Sequence, residues 1–260
     1  MSVSTEPRTW RAVEQVMGLP ISLALRGRHA GDDAARAAWS AAVAQLREVD
    51  AVFSTYRPDS CVSRLNRGEL DLVDCPPEVH EVLALAEQAY ADSGGAFDVW
   101  RADRDGRRML DADGVVKGWA TQRASRILAD LPATDGCLSA GGDLVCWTPT
   151  GADPWQIGIE DPARPDRLIA RIPVRDGAVA TSGFAHRGAH IVDARTGAVA
   201  IGLASVTVVA PDLTSADVDA TSAYAHGAQA LDWLATRPGR AGVVVLADGS
   251  VHTFATPGRR

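Results

Sequence analysis

Residues 137–147 read CLSAGGDLVCW, and WQIGIED (155–161), LIARIPV (168–174) and AVATS (178–182) follow. Each is a short apolar or alternating run bounded by Gly, Pro or Asp, which is the pattern of a β-strand. No helical periodicity separates one from the next. Strands in unbroken succession exclude the alternating order of a parallel βαβ sheet. They predict an α+β fold, a mixed, mostly antiparallel sheet core with peripheral helices. ASVTVVA (204–210) is apolar enough to be a central strand. GVVVLA (242–247) and VHTF (251–254), joined by Asp248-Gly249, close the chain as two more strands.

Upstream, VMGLPISLAL (16–25) reads as one strand. Asp32 and Asp33 open an Ala-rich helix over 32–52, with Ala38, Ala42, Leu46 and Val49 near one face. FSTYRPDSCVSRLNRG (53–68) reads as a loop leading into one helical turn around Val62 and Leu65. A helix starts at Pro77 and stops at Gly94-Gly95. AFDVWRADRDGRRMLDADG (96–114) reads as a hairpin-like region with turns at Asp105-Gly106 and Asp113-Gly114. A helix is predicted over 117–131, with Ala120, Ala124, Ile127 and Leu131 on one side. Two more cover 214–236, broken near His226-Gly227. No repeat, low-complexity tract or linker divides the chain. The reading is a loose tail over 1–14, one domain over 15–255 and a short tail over 256–260.

Composition narrows the function classes. Of 260 residues, 26 are Lys or Arg and 33 are Asp or Glu, a formal net charge of −7. An acidic chain is a poor binder of nucleic acid, whose affinity rests on cationic contacts with phosphate. Aromatic residues are 5% of the chain, too few for a broad base-stacking surface. No apolar run is long enough to cross a membrane. The N-terminus lacks the apolar core of a secretory signal. The four cysteines, Cys61, Cys75, Cys137 and Cys146, form no C-x-x-C pair and read as reduced thiols, so a cytoplasmic location is expected. Rossmann, P-loop, zinc-helix and hydrolase-elbow motifs are all absent.

Four clusters could carry chemistry. Asp217 and Thr221 lie four apart on a predicted helix and so share a face. A carboxylate and a hydroxyl there suit a hard cation such as Mg²⁺. The same residues also suit a plain helix start, with Thr214 or Ser215 as the cap. Gly114 to Gly118 places two glycines at a helix entry, where backbone N–H groups can approach an anion, or simply a turn. His186 and His190, beside Thr181-Ser182-Gly183, could supply a general base near neutrality or a structural hydrogen bond. Ala140-Gly141-Gly142-Asp143 is a sharp turn where backbone can approach a ligand.

Taken in order, the sequence resembles the ApbE family, the FAD-dependent protein FMN transferases. The matching segments are Met17-Gly18; FSTYRPDSCVSRLN (53–66); Gly95-Ala96-Phe97-Asp98; LDADGVVKGWATQRASRIL (110–128); SAGGD (139–143); WQIGIEDP (155–162); AVATSG (178–183); HIVDARTG (190–197); and SVTVVAP with ADVDAT (205–221). Each is weak alone, but the ordered set spans nearly the whole chain.

The resemblance implies an α+β fold with a flavin pocket between two halves, Mg²⁺, and FAD as co-substrate. It implies transfer of FMN through a phosphoester to a Thr or Ser of an acceptor flavoprotein, with release of AMP. Met17, Tyr56, Ala96, Phe97 and Asp98 would line the flavin and ribityl site. Asp113, Gly114 and Lys117 would lie against the diphosphate. The Val116 carbonyl, Asp217 and Thr221 would hold the metal. His190 would be the catalytic base, with Asp193 at the same strand end. Two other readings of the site are hydrolysis of FAD to FMN and AMP, and FAD binding without turnover. The chain departs from the family pattern at Asp113 and Val116, in VWRADRDG (99–106), and at Ala220, where some members carry a second acid; here Asp219 precedes it.

Overall fold

The computed structural model describes residues 9–102, 105–183 and 191–258. The chain enters on two strands, β1 (Trp10–Val16) and β2 (Leu19–Gly27), with Val16 opposite Leu19. Met17 and Gly18 are the whole turn, with φ of 57° and 69°. Positive φ at both central residues is the tight hairpin turn whose twist matches that of the strands. The strand expected over 16–25 is therefore a hairpin. Residues 10–14, expected as tail, belong to its first arm.

Helix α1 (Asp33–Phe53) starts where Asp32 Oδ1 accepts from Ala35 N at 2.9 Å, which satisfies one of the free amides of the first turn. Its Ala42, Leu46 and Val49 are buried, as the spacing requires. Ser60 caps α2 (Cys61–Asn66) in the same way through Ser63 N. Helix α3 (Pro77–Asp92) follows, with Pro in its first turn. A short ribbon, β3 (Trp100–Ala102) with β4 (Arg108–Leu110), leads into α4 (Asp113–Ala129). Asp113-Gly114 is thus the first part of the helix and not a turn before it.

The strand-rich middle gives β5 (Thr134–Ala140) and β6 (Asp143–Trp147), then the ribbon β7 (Trp155–Asp161) with β8 (Arg164–Val174), then β9 (Gly177–Gly183). A two-residue pairing, β10 (Val192–Asp193) with β11 (Ala198–Val199), precedes β12 (Leu203–Ala210). Helices α5 (Leu213–Ala225) and α6 (Ala230–Ala235) are broken at His226-Gly227, as predicted. The cap of α5 is neither Thr214 nor Ser215: Asp212 accepts from Ser215 N at 2.8 Å. β13 (Ala241–Leu246) and β14 (Val251–Ala255) end the described chain.

Eight strands form one sheet in the order β1-β2-β5-β6-β9-β12-β13-β14. Every pairing in it is antiparallel, in keeping with the mostly antiparallel core that the sequence predicts. Alternate side chains on a strand face opposite ways. Leu138, Val145, Ala180, Val206 and Val208 join the core shared with α4 and α5. Leu144, Cys146, Val179 and Val209 pack instead with Ile157, Ile159 and Val174 of the β7–β8 ribbon. Helices therefore cover one face and the ribbon lies on the other. β12 is an interior strand, paired with β9 on one side and β13 on the other, and its Val206 and Val208 are fully buried. Each such side chain contributes about 1.5–3 kcal/mol. Among the described residues, no helix is long and apolar enough to cross a membrane.

Candidate active site

Three elements far apart in sequence bring a buried charged cluster together. The Gly141-Gly142 turn ends in Asp143, the first residue of β6. Asp143 Oδ1 accepts from Thr181 N on β9 at 2.8 Å. Asp143 Oδ2 is ion-paired with Lys117 Nζ from the start of α4. The same ammonium lies 3.1 Å from Asp217 Oδ1 on α5. Asp217 Oδ2 accepts from Gly118 N at 3.1 Å. One turn further along α5, Thr221 Oγ1 is 3.0 Å from Ser182 Oγ on β9.

The two helices meet closely because residue 118 has no side chain. A Cβ there would sit 2.8 Å from Leu213 O and 3.0 Å from Asp217 Cβ. Gly118 thus lets α4 lay its backbone N–H on the Asp217 carboxylate.

The electrostatics follow from burial. The side chains of Asp143 and Asp217 are 4% and 3% exposed, and that of Lys117 18%. Two carboxylates share one ammonium, leaving an excess negative charge in a low-dielectric place. Burial pushes the Asp217 carboxyl up to about 7, although Lys117 and the Gly118 amide oppose the shift. Burial alone would lower the Lys117 ammonium, but Asp217 and Asp143 outweigh it and hold it above its ordinary range.

The cluster forms one wall of a cavity of about 720 Å³. Tyr56, Ala96, Phe97, Asp98, Asp113, Gly114, Lys117, Asp217 and Thr221, all candidate site residues from the sequence, line it. The opposite wall is Ile157 to Pro162 and Pro165, from the β7–β8 ribbon. The cavity is therefore set between the ribbon side and the helical side of the sheet. Tyr56 is 92% exposed, so it stands at the mouth. Asp98 turns back to accept from Trp100 N at 2.9 Å, and Arg101 pairs with Asp111 at 3.2 Å on the same wall.

Three expected residues sit elsewhere. Met17 is in the β1–β2 turn, packed against the main core. The Val116 side chain is buried in that core, and its N–H bonds Ala112 O at 2.9 Å within the first turn of α4. Asp193 holds Arg195 through two bonds of 2.8 and 2.9 Å, and that guanidinium keeps its carboxyl below the usual range. None of the three is among the residues that line the cavity. His190 and His186 lie outside the described residues. Asp219 points away from the cluster, toward Arg240 at 2.6 Å and Arg237 at 3.2 Å.

Asp143, Thr181 and Ser182 belong to two of the clusters that the sequence offers, but the sequence gives none of them a role of its own. Their signal was a Gly-Gly turn ending in Asp and a Thr-Ser pair closing an apolar strand. Among the described residues, no three or more His, Cys, Asp or Glu side chains converge to hold a metal ion.

The FAD:protein FMN transferase of Rhodobacter capsulatus is 32% identical over 164 residues, which is 58% of this chain and 30% of the relative. The protein of the same description from Escherichia coli (strain K12) is 26% identical over 160 residues, 57% of this chain and 46% of the relative. The chain thus spans less than half the length of these curated relatives. Two solved structures share the fold. One is the ApbE protein of Thermotoga maritima, at TM-score 0.81 and 24% identity, covering 96% of this chain and 97% of that one. The other is the flavin transferase ApbE of Vibrio cholerae, at TM-score 0.78 and 20% identity, covering 96% and 98%. The sequence profile of the ApbE family matches residues 17–103 and 100–245, nearly the whole described chain. The chain belongs to the ApbE family.

Proposed function

We propose that the protein is a Mg²⁺-dependent FAD:protein FMN transferase. In this reading it moves FMN from FAD to a Thr or Ser hydroxyl of an acceptor flavoprotein and releases AMP. The observation that carries the reading is the buried Asp143–Lys117–Asp217 cluster in the wall of a cavity of about 720 Å³.

The residues fit Mg²⁺ on charge and on donor type. The cluster is one positive charge short, and a cation would supply it. Asp217 and Thr221 offer hard oxygen donors on one helix face, both in the cavity lining. Mg²⁺ is commonly held by one or two carboxylates, with waters and substrate phosphates completing the octahedron. Its chemistry there would be to draw charge from the diphosphate and stabilise the departing AMP.

The chain's own groups account for the rest. The first turn of α4, with Asp113 and Gly114 in the cavity lining, brings the positive end of the helix dipole to the cavity, where it favours an anion. Gly114 lies under Phe97, where a Cβ would come within 2.9 Å of the ring. The Gly114 backbone and the Phe97 ring are thus kept side by side in the cavity lining. Lys117, pinned by Asp143, adds a fixed positive charge on the diphosphate side of the cavity. In this account His190 takes the proton from the acceptor hydroxyl, an effect worth roughly 10²–10⁴ in rate. The bond formed joins the hydroxyl oxygen to the FMN phosphorus. The bond broken joins that phosphorus to the bridging oxygen, which leaves on AMP.

A site that spans flavin, diphosphate and adenylate binds FAD more tightly than FMN. Titration by flavin fluorescence with both ligands is expected to show a difference of at least about tenfold, on the order of 1.4 kcal/mol. His190→Asn is expected to keep that preference while losing transfer. Equal affinity for FMN and FAD contradicts the pocket assignment, and loss of FAD binding in the His190 variant contradicts the base assignment.

A further inference from the structure

The chain has four cysteines, and the fold brings all four into two pairs. Cys61 is the first residue of α2, and Cys75 directly follows the helical turn at Leu72–Asp74. Their Sγ atoms are 3.2 Å apart. Cys137 and Cys146 stand directly opposite each other on β5 and β6. Opposed residues of an antiparallel pair have Cα atoms about 4.5–5.5 Å apart. That lies inside the span of about 4.4–6.8 Å that a disulfide bridges.

We propose that Cys61 and Cys75 are a reversible disulfide site, closed by exchange with a small-molecule disulfide. The Cys61 thiolate attacks one sulfur of the small molecule and expels the first small thiolate. The Cys75 sulfur then attacks Cys61 Sγ and expels the second. One protein S–S bond forms, one small-molecule S–S bond breaks, and two small thiols leave with the two protons. The protein loses two electrons and the small disulfide gains them.

The order of attack follows from access. Cys61 is half-buried, whereas Cys75 is 6% exposed. Burial, and then the neighbouring Cys61, push the Cys75 thiol up to about 12. Cys75 is thus the more shielded thiol and gives up its proton less readily, so Cys61 meets the oxidant first and Cys75 ionises as it attacks. The Cys137–Cys146 pair is packed in the second core under the β7–β8 ribbon, and the first link is assigned to Cys61–Cys75, whose sulfurs already lie 3.2 Å apart.

Closure reaches the cavity wall. Asn66, at the end of α2, donates to Leu110 O at 2.9 Å and accepts from Leu110 N at 2.8 Å. That pair of hydrogen bonds fixes the end of β4, which runs through Asp111 into Asp113 and Gly114. Linking the start of α2 to the segment before α3 stiffens this connection.

The test uses the full chain, folded and without denaturant, treated with oxidised glutathione. The first expected product has lost two hydrogens and carries no glutathione. Peptide mapping places the link at Cys61–Cys75, and dithiothreitol reverses it. Because the link closes a short loop, Tm is expected to rise by roughly 5–10 °C. Cys61→Ser and Cys75→Ser are each expected to abolish this first product and the Tm rise. A stable glutathione adduct on Cys61 with Cys75 still reduced overturns the proposal. So does a first link at Cys137–Cys146, or no oxidation of the folded chain.

Discussion

Asp217→Ala is expected to lose Mg²⁺-dependent turnover by at least about 100-fold, since even outer-shell partners of a metal are typically worth 10–100-fold. The fold is expected to survive. Removing this carboxylate leaves the Gly118 amide without its acceptor, a cost of about 1–3 kcal/mol. The same change removes the excess buried charge, which offsets part of that cost. Asp217→Asn separates the two effects. An amide oxygen can still accept from Gly118 N, so stability is retained while the anionic ligand is gone. Activity and Tm measured across a Mg²⁺ titration check both variants. Unaltered activity in either variant would mean that Asp217 does not serve a metal.

Lys117→Met is expected to destabilise the protein by about 3–5 kcal/mol, the usual result of stranding a buried charge by removing its partner. Asp143 and Asp217 would then face each other with no cation between them. At about 2–4 °C per kcal/mol, Tm falls by roughly 10 °C. The loss depends on pH. The Asp217 carboxyl already titrates near 7 in the folded chain against 3.8 in its ordinary state. The folded state therefore holds a proton that the unfolded state has released. Stability contributed by that proton is full below about 4 and declines as pH rises toward 7. Without Lys117 the carboxyl is raised further, so the variant is closest to wild type in acid and weakest above pH 7. Thermal melts in chelator from pH 5 to 8 measure this. Adding Asp143→Asn to Lys117→Met is expected to recover much of the loss, because the two sites share one interaction. An additive double variant, or a pH-independent deficit, would show that the cluster is not coupled as described.

The sequence makes one kind of information plain and hides another. Asp217 and Thr221 are four apart, and a helix puts any such pair on one face, so their shared position was legible. Lys117, Asp143 and Ser182 are not related by any local period. Asp143 and Ser182 meet because β6 and β9 are neighbours in the sheet, and Lys117 joins them because α4 packs against α5; both are pairings between distant segments. The first hairpin was read as a single strand because Met17 carries no turn signal. Its φ of 57° is imposed by the strands on either side. The start of α4 was placed late for a related reason. Asp-Gly is a strong turn signature, and Ala112 offers no side-chain cap to mark a helix. By contrast, α1 announces itself through Asp32, and α3 through Pro77 and the glycines after it.

Mass spectrometry of an acceptor flavoprotein domain that carries a Thr or Ser site tests the account most directly. The domain is incubated with the full chain, FAD and Mg²⁺, and the small-molecule products are measured in the same sample. The account predicts that the acceptor gains the mass of one FMN phosphoester, with AMP released in equal amount and neither product formed in chelator. FMN and AMP both free in solution, with the acceptor unmodified, would mean that water takes the place of the hydroxyl. Intact FAD with no product would mean that the cavity binds without turnover. Either result contradicts transfer.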